Sequence, residues 1–258
     1  MNDRRMIDDA ILHTENLSVG YRHKGKLRVV QKALDVSVFS GNFTVLVGAN
    51  GCGKSTLLKT LAGLHPPLHG CVRMGNDDLY RIPIREKAKR IAIVLTDPVR
   101  VSGLSVWDLV AMGRSPYTAW MGNLSRHDRE KIAESLALIA LDGYENRQVS
   151  ELSDGEKQRV MIAKALVQDT PVIFLDEPTA HLDVNNRIEI LSRLKEICEK
   201  TGKSMLLSTH ELDLALQLSN RMWLMHASGI HDMTPDEVIF NGILHEIFPK
   251  FSYSKPIN

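Results

Sequence analysis

The chain has 258 residues, a length that suits one large domain or two small ones. Lys and Arg number 32 and Asp and Glu 31, for a formal net charge of +1. This balance excludes the strong positive field typical of proteins whose main role is to bind nucleic acid. Hydrophobic residues make up 43% and charged residues 24%, which indicates a globular chain rather than a disordered one.

The cysteines and the apolar runs bear on the compartment in which the protein works. Cys52, Cys71 and Cys198 cannot all pair and lack metal-ligand spacing, so we expect a reducing compartment. The longest apolar run, 136–141, is far shorter than the roughly 18 residues that cross a bilayer. The N-terminal sequence lacks the apolar segment of a signal peptide. We therefore expect a cytosolic protein whose membrane role, if any, comes through a partner.

Short β-rich runs alternate with helix-period stretches in the outer parts of the chain. The antiparallel pairing expected near the N-terminus involves residues 36–39 and the stretch before Gly20 and Tyr21. The continuous apolar runs are typical of parallel strands covered on both faces, and they span 44–47, 91–95, 172–175 and 205–207. The helix-period stretches span 55–64, 156–167 and 187–200.

The middle of the chain, 97–166, is predicted to be mainly helical, with segments near 106–112 and 128–141. Between them lies a loop that carries Tyr117, Trp120 and Met121. The predicted fold is α/β, with a mainly parallel sheet, a small antiparallel β addition and a helical insertion. We expect a single domain over 1–258, in which 1–96 and 167–258 form the α/β core and 97–166 form a helical subdomain.

Residues 48–56 read GANGCGKST and match the phosphate-loop pattern G-x-x-x-x-G-K-[ST] in full. A predicted strand precedes the loop and a predicted helix follows it, which disfavours the alternative of a glycine-rich turn with a chance lysine. The three glycines are expected to adopt positive φ and to let the backbone approach an anion. The candidate phosphate-binding residues are Gly48, Ala49, Asn50, Gly51, Cys52, Gly53, Lys54, Ser55 and Thr56.

Within this loop the side chains have different expected roles. Lys54 supplies a positive charge to the β- and γ-phosphates, and the Ser55 hydroxyl is placed for Mg²⁺. The helix that follows adds favourable dipole at its N-terminus. Cys52 is expected to be a small filler rather than a nucleophile, because no base is evident beside it.

Two acids follow the apolar run 172–175 and a histidine follows the run 205–207. In an open parallel sheet ligands sit beyond the carboxyl ends of the strands, so one crevice can collect Asp176, Glu177 and His210 with the phosphate loop. Asp176 is the candidate Mg²⁺ ligand, Glu177 the candidate base for an attacking water, and His210 a candidate contact to the γ-phosphate or to Glu177. By itself, an Asp-Glu pair after a strand is often only the start of a loop.

Residues 152–156 read LSDGE, which is locally a helix start: Ser153 is a good N-cap and Glu156 completes a capping box. The order of motifs is more specific than this local pattern. The phosphate loop, LSDGE, VIFLDEP, the segment 180–183 (AHLD) and a strand-end histidine follow one another along the chain. In this order the chain resembles the ATP-binding cassette (ABC) ATPases over nearly its whole length.

The resemblance implies ATP and Mg²⁺ as cofactors and assigns roles to individual residues. GANGCGKST is similar to the Walker A motif, VIFLDEP to Walker B, LSDGE to the LSGGQ signature, AHLD to the D-loop, and His210 to the switch histidine. Tyr21 is similar to the aromatic residue on which this family stacks adenine. Two subunits are implied to bind head to tail, with Ser153 and Gly155 of one contacting the γ-phosphate held by the other.

Segment 103–122 is similar to the ABC importers of iron chelates (siderophores), haem and cobalamin. Those systems have separate ATPase, permease and binding-protein chains. The resemblance therefore implies an ATP-hydrolysing homodimer on an integral-membrane permease, with a substrate-binding protein as an indirect partner. It implies a cytoplasmic location, peripheral on the inner face of the cell membrane, and no nucleic-acid partner.

Three residues depart from the family pattern. Thr96 stands where the family has a glutamine that senses Mg²⁺ and touches the permease, so its role in this site is open. Asp154 replaces the second signature position, usually glycine, and is expected to point away from the triphosphate. Glu156 stands where glutamine is commoner, which the capping box explains. The aromatic residues of 115–121 either pack within the helical insertion or face a permease.

Two other function classes fit the sequence less well. A non-transport ABC ATPase that acts on nucleic acid or the ribosome typically has a coiled-coil insertion or tandem cassettes, whereas about a hundred residues without heptads separate Lys54 from Ser153. A phosphate-loop kinase has no use for LSDGE or the D-loop. The leading prediction is the ATPase subunit of an importer.

Overall fold

The structure, a computed structural model, describes residues 10–23, 26–96, 101–118, 123–180 and 182–248. The strands are β1 (Ala10–His23), β2 (Lys26–Leu34), β3 (Ser37–Phe39), β4 (Phe43–Gly48), β5 (His69–Met74), β6 (Asp77–Asp78), β7 (Ile91–Val94), β8 (Val172–Asp176), β9 (Ser204–Thr209), β10 (Arg221–His226) and β11 (Gly229–Met233). The helices are α1 (Lys54–Leu61), α2 (Ile84–Arg90), α3 (Val106–Ala111), α4 (Arg126–Leu138), α5 (Asp154–Val167), α6 (Val184–Thr201), α7 (Leu212–Leu218), α8 (Pro235–Phe240) and α9 (Ile243–Ile247).

A six-stranded sheet with the order β11-β10-β4-β9-β8-β7 forms the centre of the molecule. Its pairings are parallel from β10 to β7, and β11 runs antiparallel to β10. Successive residues of β8 enter different cores: Ile173 and Leu175 pack among the helices, whereas Val172 and Phe174 pack toward the second sheet. Both faces are therefore covered, as the continuous apolar runs predicted.

The second sheet is antiparallel, with the order β2-β1-β5-β6 and with β3 paired to β1. It is larger than the small addition expected from the sequence, because β2 and β5 each pair along β1. The pairing of β1 with β2 is interrupted by register shifts between Leu17 and Gly20. These shifts break the alternation of apolar and polar side chains from which a strand is predicted. Together with α1, this sheet covers one face of the parallel sheet.

Helices α3, α4 and α5 pack together in the predicted helical region. Capping boxes begin α3 at Ser105 and α4 at Ser125. Helix α4 ends at Leu138, three residues before the end of the predicted segment. The predicted loop residues Trp120 and Met121 and the boundary at 97 lie outside the described residues. The division into an α/β core and a helical subdomain stays a prediction.

A buried ion pair ties this helical region to the end of α5. Arg114 Nε donates to Asp128 Oδ1 at 2.7 Å, and Arg114 Nη1 donates to the Val167 carbonyl at 3.0 Å. The guanidinium also lies over the Tyr117 ring, 4.0 Å from its centroid. Burial raises the pKa of Asp128, but hydrogen bonds from Ser125 and Arg114 outweigh it and lower the pKa to about 2. The carboxylate is thus charged and matched by its partner.

Two further observations concern membrane-spanning helices and disulfide bonds. In the part that the structure describes, every helix is too short or too polar to pass through a bilayer. Cys52, Cys71 and Cys198 are all free thiols.

Replacing Arg114 by leucine is expected to lower the free energy of unfolding by about 3–5 kcal/mol, because it leaves Asp128 buried without its partner. Arg126→Ala is the control. The ion pair of Arg126 with Glu130 lies on the surface of α4, the helix that also carries Asp128, and contributes at most about 0.5 kcal/mol. Urea unfolding followed by circular dichroism measures both. Equal losses in the two variants contradict the argument.

Candidate nucleotide-binding site

The loop 48–53 leaves the carboxyl end of β4 and turns into α1 at Lys54. Gly51 and Gly53 adopt positive φ, +78° and +110°, as predicted. The prediction of a positive φ was wrong for Gly48, whose backbone lies outside that region. Glycine is needed there for space, because a Cβ atom at this position lies 2.7 Å from the Met225 carbonyl oxygen.

Lys54 is buried, with 5% of its surface exposed. Its Nζ donates to the Gly48 carbonyl at 3.0 Å and lies 3.5 Å from Glu177 Oε1. The ammonium group is thus held at the mouth of the loop by a carbonyl oxygen and an acid. A phosphate oxygen entering the loop meets a positive charge that is already positioned.

Ser55 and Asp176 meet, as the predicted shared metal site requires. Ser55 Oγ donates to Asp176 Oδ1 at 3.0 Å, and Asp176 is 2% exposed. Hydroxyl and carboxylate oxygens are the ligands that Mg²⁺ prefers in proteins. The oxygen ligands therefore fit Mg²⁺, and the buried carboxylate has hydrogen-bond donors, as buried polar groups in proteins usually do.

Glu177 is the first residue beyond β8, and its backbone φ of +46° is unusual for a residue other than glycine. This turn takes its carboxylate out of the sheet and toward Lys54. The Glu177 N–H donates to Ser208 Oγ at 2.9 Å, and Ser208 Oγ donates to Asp176 Oδ1 at 2.7 Å. Sequence reasoning missed Ser208, which directly follows the apolar run 205–207 and carries no motif of its own.

His210 follows β9 and is exposed, with its Nε2 3.6 Å from Glu211 Oε1. Glu211 also pairs with Arg187, and Arg187 donates to the Leu182 carbonyl at 2.9 Å. Among the described contacts, His210 does not touch Glu177. Its role at the γ-phosphate stays a prediction, and His181 of the predicted D-loop lies outside the described residues.

Tyr21 lies near the start of α1, since its hydroxyl oxygen is 2.6 Å from Thr56 Oγ1. Its side chain is exposed at 44%, and its ring centroid is 5.0 Å from that of His65. A cavity of about 520 Å³ flanks the phosphate loop, between residues 28–31 of β2, residues 49–52 and residues 225–227. Tyr21 does not line this cavity, and adenine stacking on Tyr21 stays a prediction.

Cys52 is half-buried in the phosphate loop. Burial raises the pKa of its thiol. A raised pKa makes the thiol less reactive at neutral pH, and the filler role of Cys52 stays a prediction.

The predicted capping box of LSDGE is confirmed at the start of α5. Ser153 Oγ accepts from the Glu156 N–H at 3.3 Å, and Glu156 Oε2 accepts from the Ser153 N–H at 2.8 Å. The backbone hydrogen bond from Ser153 is the main reason that the pKa of Glu156 is lowered to about 2. The Asp154 side chain is 77% exposed and lies beside Lys157, and its direction relative to a triphosphate stays a prediction.

Thr96, at the position where the family has glutamine, fastens the end of β7 to the end of β8. Its hydroxyl donates to the Asp176 carbonyl oxygen at 2.8 Å. The side chain is therefore used to fix the backbone of the metal-site residue rather than to reach into the crevice.

A phosphate loop, a buried Ser-Asp pair and a strand-end acid at one edge of a parallel sheet define a phosphate-loop nucleotide-binding protein. The family model described as ABC transporter matches residues 31–180. The chain belongs to the ABC transporter family, in which it is an ATP-hydrolysing subunit. This result confirms the resemblance and the fold class predicted from the motifs.

Relatives and solved structures extend the likeness to nearly the whole chain. The iron(3+)-hydroxamate import ATP-binding protein FhuC of Bacillus subtilis is 36% identical over 238 residues, which are 92% of this chain and 87% of FhuC. The ferric enterobactin transport ATP-binding protein FepC of Escherichia coli is 31% identical over 93% of this chain and 87% of FepC. The structure of cbiO1 from Clostridium perfringens, part of the complex cbiONQ, superposes with a TM-score of 0.78 at 26% identity, over 94% of this chain and 97% of cbiO1.

The capping box predicts a pH-dependent contribution of Glu156 to stability. Because its pKa is lowered from about 4.5 to about 2 on folding, the contribution is fully present above the higher value and is lost as the pH falls toward the lower one. The difference in unfolding free energy between the wild type and Glu156→Ala is therefore expected to shrink between pH 6 and pH 3, as measured by urea unfolding. Glu151→Ala, which changes an exposed acid outside the box, is the control. A difference that stays constant over this range contradicts the prediction.

Proposed function

We propose that this chain hydrolyses ATP to drive uptake of an iron chelate (siderophore), haem or a cobalamin-type compound through a separate integral-membrane permease. The observation that carries the proposal is the meeting of Lys54, Ser55, Asp176 and Glu177 at one sheet edge. FhuC and FepC align over more than nine-tenths of this chain. Their names, which specify iron(3+)-hydroxamate import and ferric enterobactin transport, support an iron chelate as the substrate.

The residues of the loop bind the triphosphate. The backbone of 48–53 wraps the β- and γ-phosphates, and Lys54 exchanges its carbonyl and carboxylate contacts for phosphate oxygens. Ser55 and Asp176 would hold Mg²⁺, which would supply positive charge to the phosphates. These groups position the nucleotide and stabilise charge, which is most of what phosphoryl transfer requires.

Glu177 acts on the attacking water. The water oxygen bonds to the γ-phosphorus as the bond from that phosphorus to the bridging oxygen of ADP breaks, and the water proton passes to the Glu177 carboxylate. The positive φ of Glu177 serves this role because it turns the carboxylate out of the sheet and toward the ammonium group of Lys54, which binds the phosphates. His210, also at a strand end, contacts the γ-phosphate and Tyr21 stacks on the adenine.

A second copy of the chain completes the site. At the start of α5, Ser153 is exposed and Gly155 is half-buried, and among the described residues neither contacts the phosphate loop of its own chain. They are free to meet the γ-phosphate held by a partner subunit, where the N-terminus of α5 adds favourable dipole. The resulting homodimer, closed by ATP, moves the attached permease, which receives its cargo from a substrate-binding protein. The dimer is thus peripheral on the inner face of the cell membrane.

Glu177→Gln is expected to keep ATP binding and to lower the rate of hydrolysis by roughly 10²–10⁴, because the amide cannot take the proton. It also traps the ATP-bound dimer. Turnover measured by phosphate release and dimerisation measured by sedimentation velocity check both effects.

Glu130→Gln is the control for this prediction, since Glu130 is an exposed acid whose partner is Arg126 on the surface of α4. This variant is expected to hydrolyse ATP at the wild-type rate. Wild-type hydrolysis by Glu177→Gln contradicts the assignment of the base.

Copurification tests the physiological partner. The tagged chain extracted from membranes is expected to bring down a polytopic permease, and its ATPase activity is expected to rise when the substrate-loaded binding protein is added. Recovery with ribosomes or nucleic acid instead contradicts the transport function while leaving the ATP site unchanged.

A further inference from the structure

One buried hydroxyl connects the two carboxylates of the site. Ser208 lies in β9 directly opposite Asp176 of β8 and is 0% exposed. Its Oγ donates to Asp176 Oδ1 at 2.7 Å and accepts from the Glu177 N–H at 2.9 Å. The Ser208 hydroxyl is thus a hydrogen-bond donor to the Asp176 side chain and a hydrogen-bond acceptor from the Glu177 backbone.

The backbone of Glu177 gives this second bond its importance. A φ of +46° is sparsely populated by residues with a side chain and persists only when surrounding contacts fix it. The bond from the Glu177 N–H to Ser208 Oγ is a contact that fixes it, because it anchors the peptide at which the chain leaves β8. The direction of the Glu177 carboxylate follows from that anchoring.

The first bond has a similar role for Asp176. Oδ1 of this buried carboxylate accepts from Ser55 Oγ and from Ser208 Oγ. If Ser55 turns its oxygen to a metal ion, the hydrogen bond from Ser208 still holds the Asp176 carboxylate in place. Thr96 fixes the Asp176 carbonyl from the other neighbouring strand, so it cannot replace this function.

We propose that Ser208 is a positioning residue that sets the Asp176 carboxylate and the Glu177 backbone relative to one another. The inference rests on the proposed function, in which Asp176 holds the metal and Glu177 is the base. It adds that the two carboxylates are aligned as a unit by a side chain from the adjacent strand.

Ser204 provides a matched control. It lies on the same strand, four residues earlier, is also 0% exposed, and accepts a hydrogen bond from the Gly41 N–H at 3.1 Å. Its partner in β8 is Val172, at the opposite end of that strand. Ser204→Ala therefore removes an equally buried hydroxyl from β9 without touching the carboxylates.

The test compares full-length Ser208→Ala, Ser208→Thr and Ser204→Ala. Ser208→Ala is expected to lower kcat by roughly ten- to a hundredfold while the KM for ATP changes about twofold at most, because the reacting groups are misaligned rather than lost. It is also expected to reduce the gain in ATP affinity that Mg²⁺ gives over EDTA, measured by equilibrium titration without turnover. Ser208→Thr keeps the hydroxyl and is expected to restore both quantities toward wild type.

Ser204→Ala is expected to share any loss of Tm with Ser208→Ala but to keep kcat and the Mg²⁺ gain. Equal effects of the two alanine variants on kcat, or an unchanged Mg²⁺ gain in Ser208→Ala, overturn the inference. So does a Ser208→Thr variant that folds, by its Tm, and is as inactive as the alanine variant. Glu177→Gln, assayed in parallel, separates the two levels. If it retains wild-type turnover, the assignment of Glu177 as the base, on which this inference rests, fails. If it is inactive while Ser208→Ala is normal, only the inference about Ser208 fails.

Discussion

Asp176 Oδ1 is a buried carboxylate oxygen that needs hydrogen-bond donors from the protein, because water does not reach it. The geometry of the site depends on which donors these are. Two hydroxyl groups from separate elements, Ser55 of α1 and Ser208 of β9, donate to it. A polar group buried this far from water is costly unless it has such hydrogen-bond partners. They converge because β4, β9 and β8 are parallel neighbours, so that their carboxyl ends meet at one edge. The phosphate loop, Lys54 and Glu177 all take their positions from that edge.

Much of the site was predictable because its motifs are local. The phosphate loop, the two acids at the end of β8 and the Ser153–Glu156 capping box depend on residues within a few positions of one another, and the structure contains each. The roles of Ser208 and Thr96 were not predictable in this way. Their bonds to Asp176 join residues 32 and 80 positions apart, and only the pairing of β7, β8 and β9 brings them together.

The fold shows the same division between local and distant causes. Unbroken apolar runs predicted β4, β7, β8 and β9 correctly, since both faces of that sheet are covered, but they missed β10, which is parallel to β4. The antiparallel sheet was underestimated, because register shifts in β1 disturb its alternating pattern. Gly48 is a further case: its glycine is required by the carbonyl of Met225, a residue far away in the sequence, and not by its own backbone angle.

In the proposed dimer, the phosphate loop of one chain and the LSDGE helix start of another enclose one nucleotide. The native Cys52 allows a direct measurement, because a thiol introduced by Ser153→Cys, in a chain that also carries Cys71→Ser, faces the partner's loop in such a dimer. Oxidation with ATP is predicted to give a disulfide-linked dimer on a non-reducing gel, and Cys52→Ser is predicted to abolish it. A chain that stays monomeric under these conditions, or that crosslinks equally without Cys52, contradicts the account.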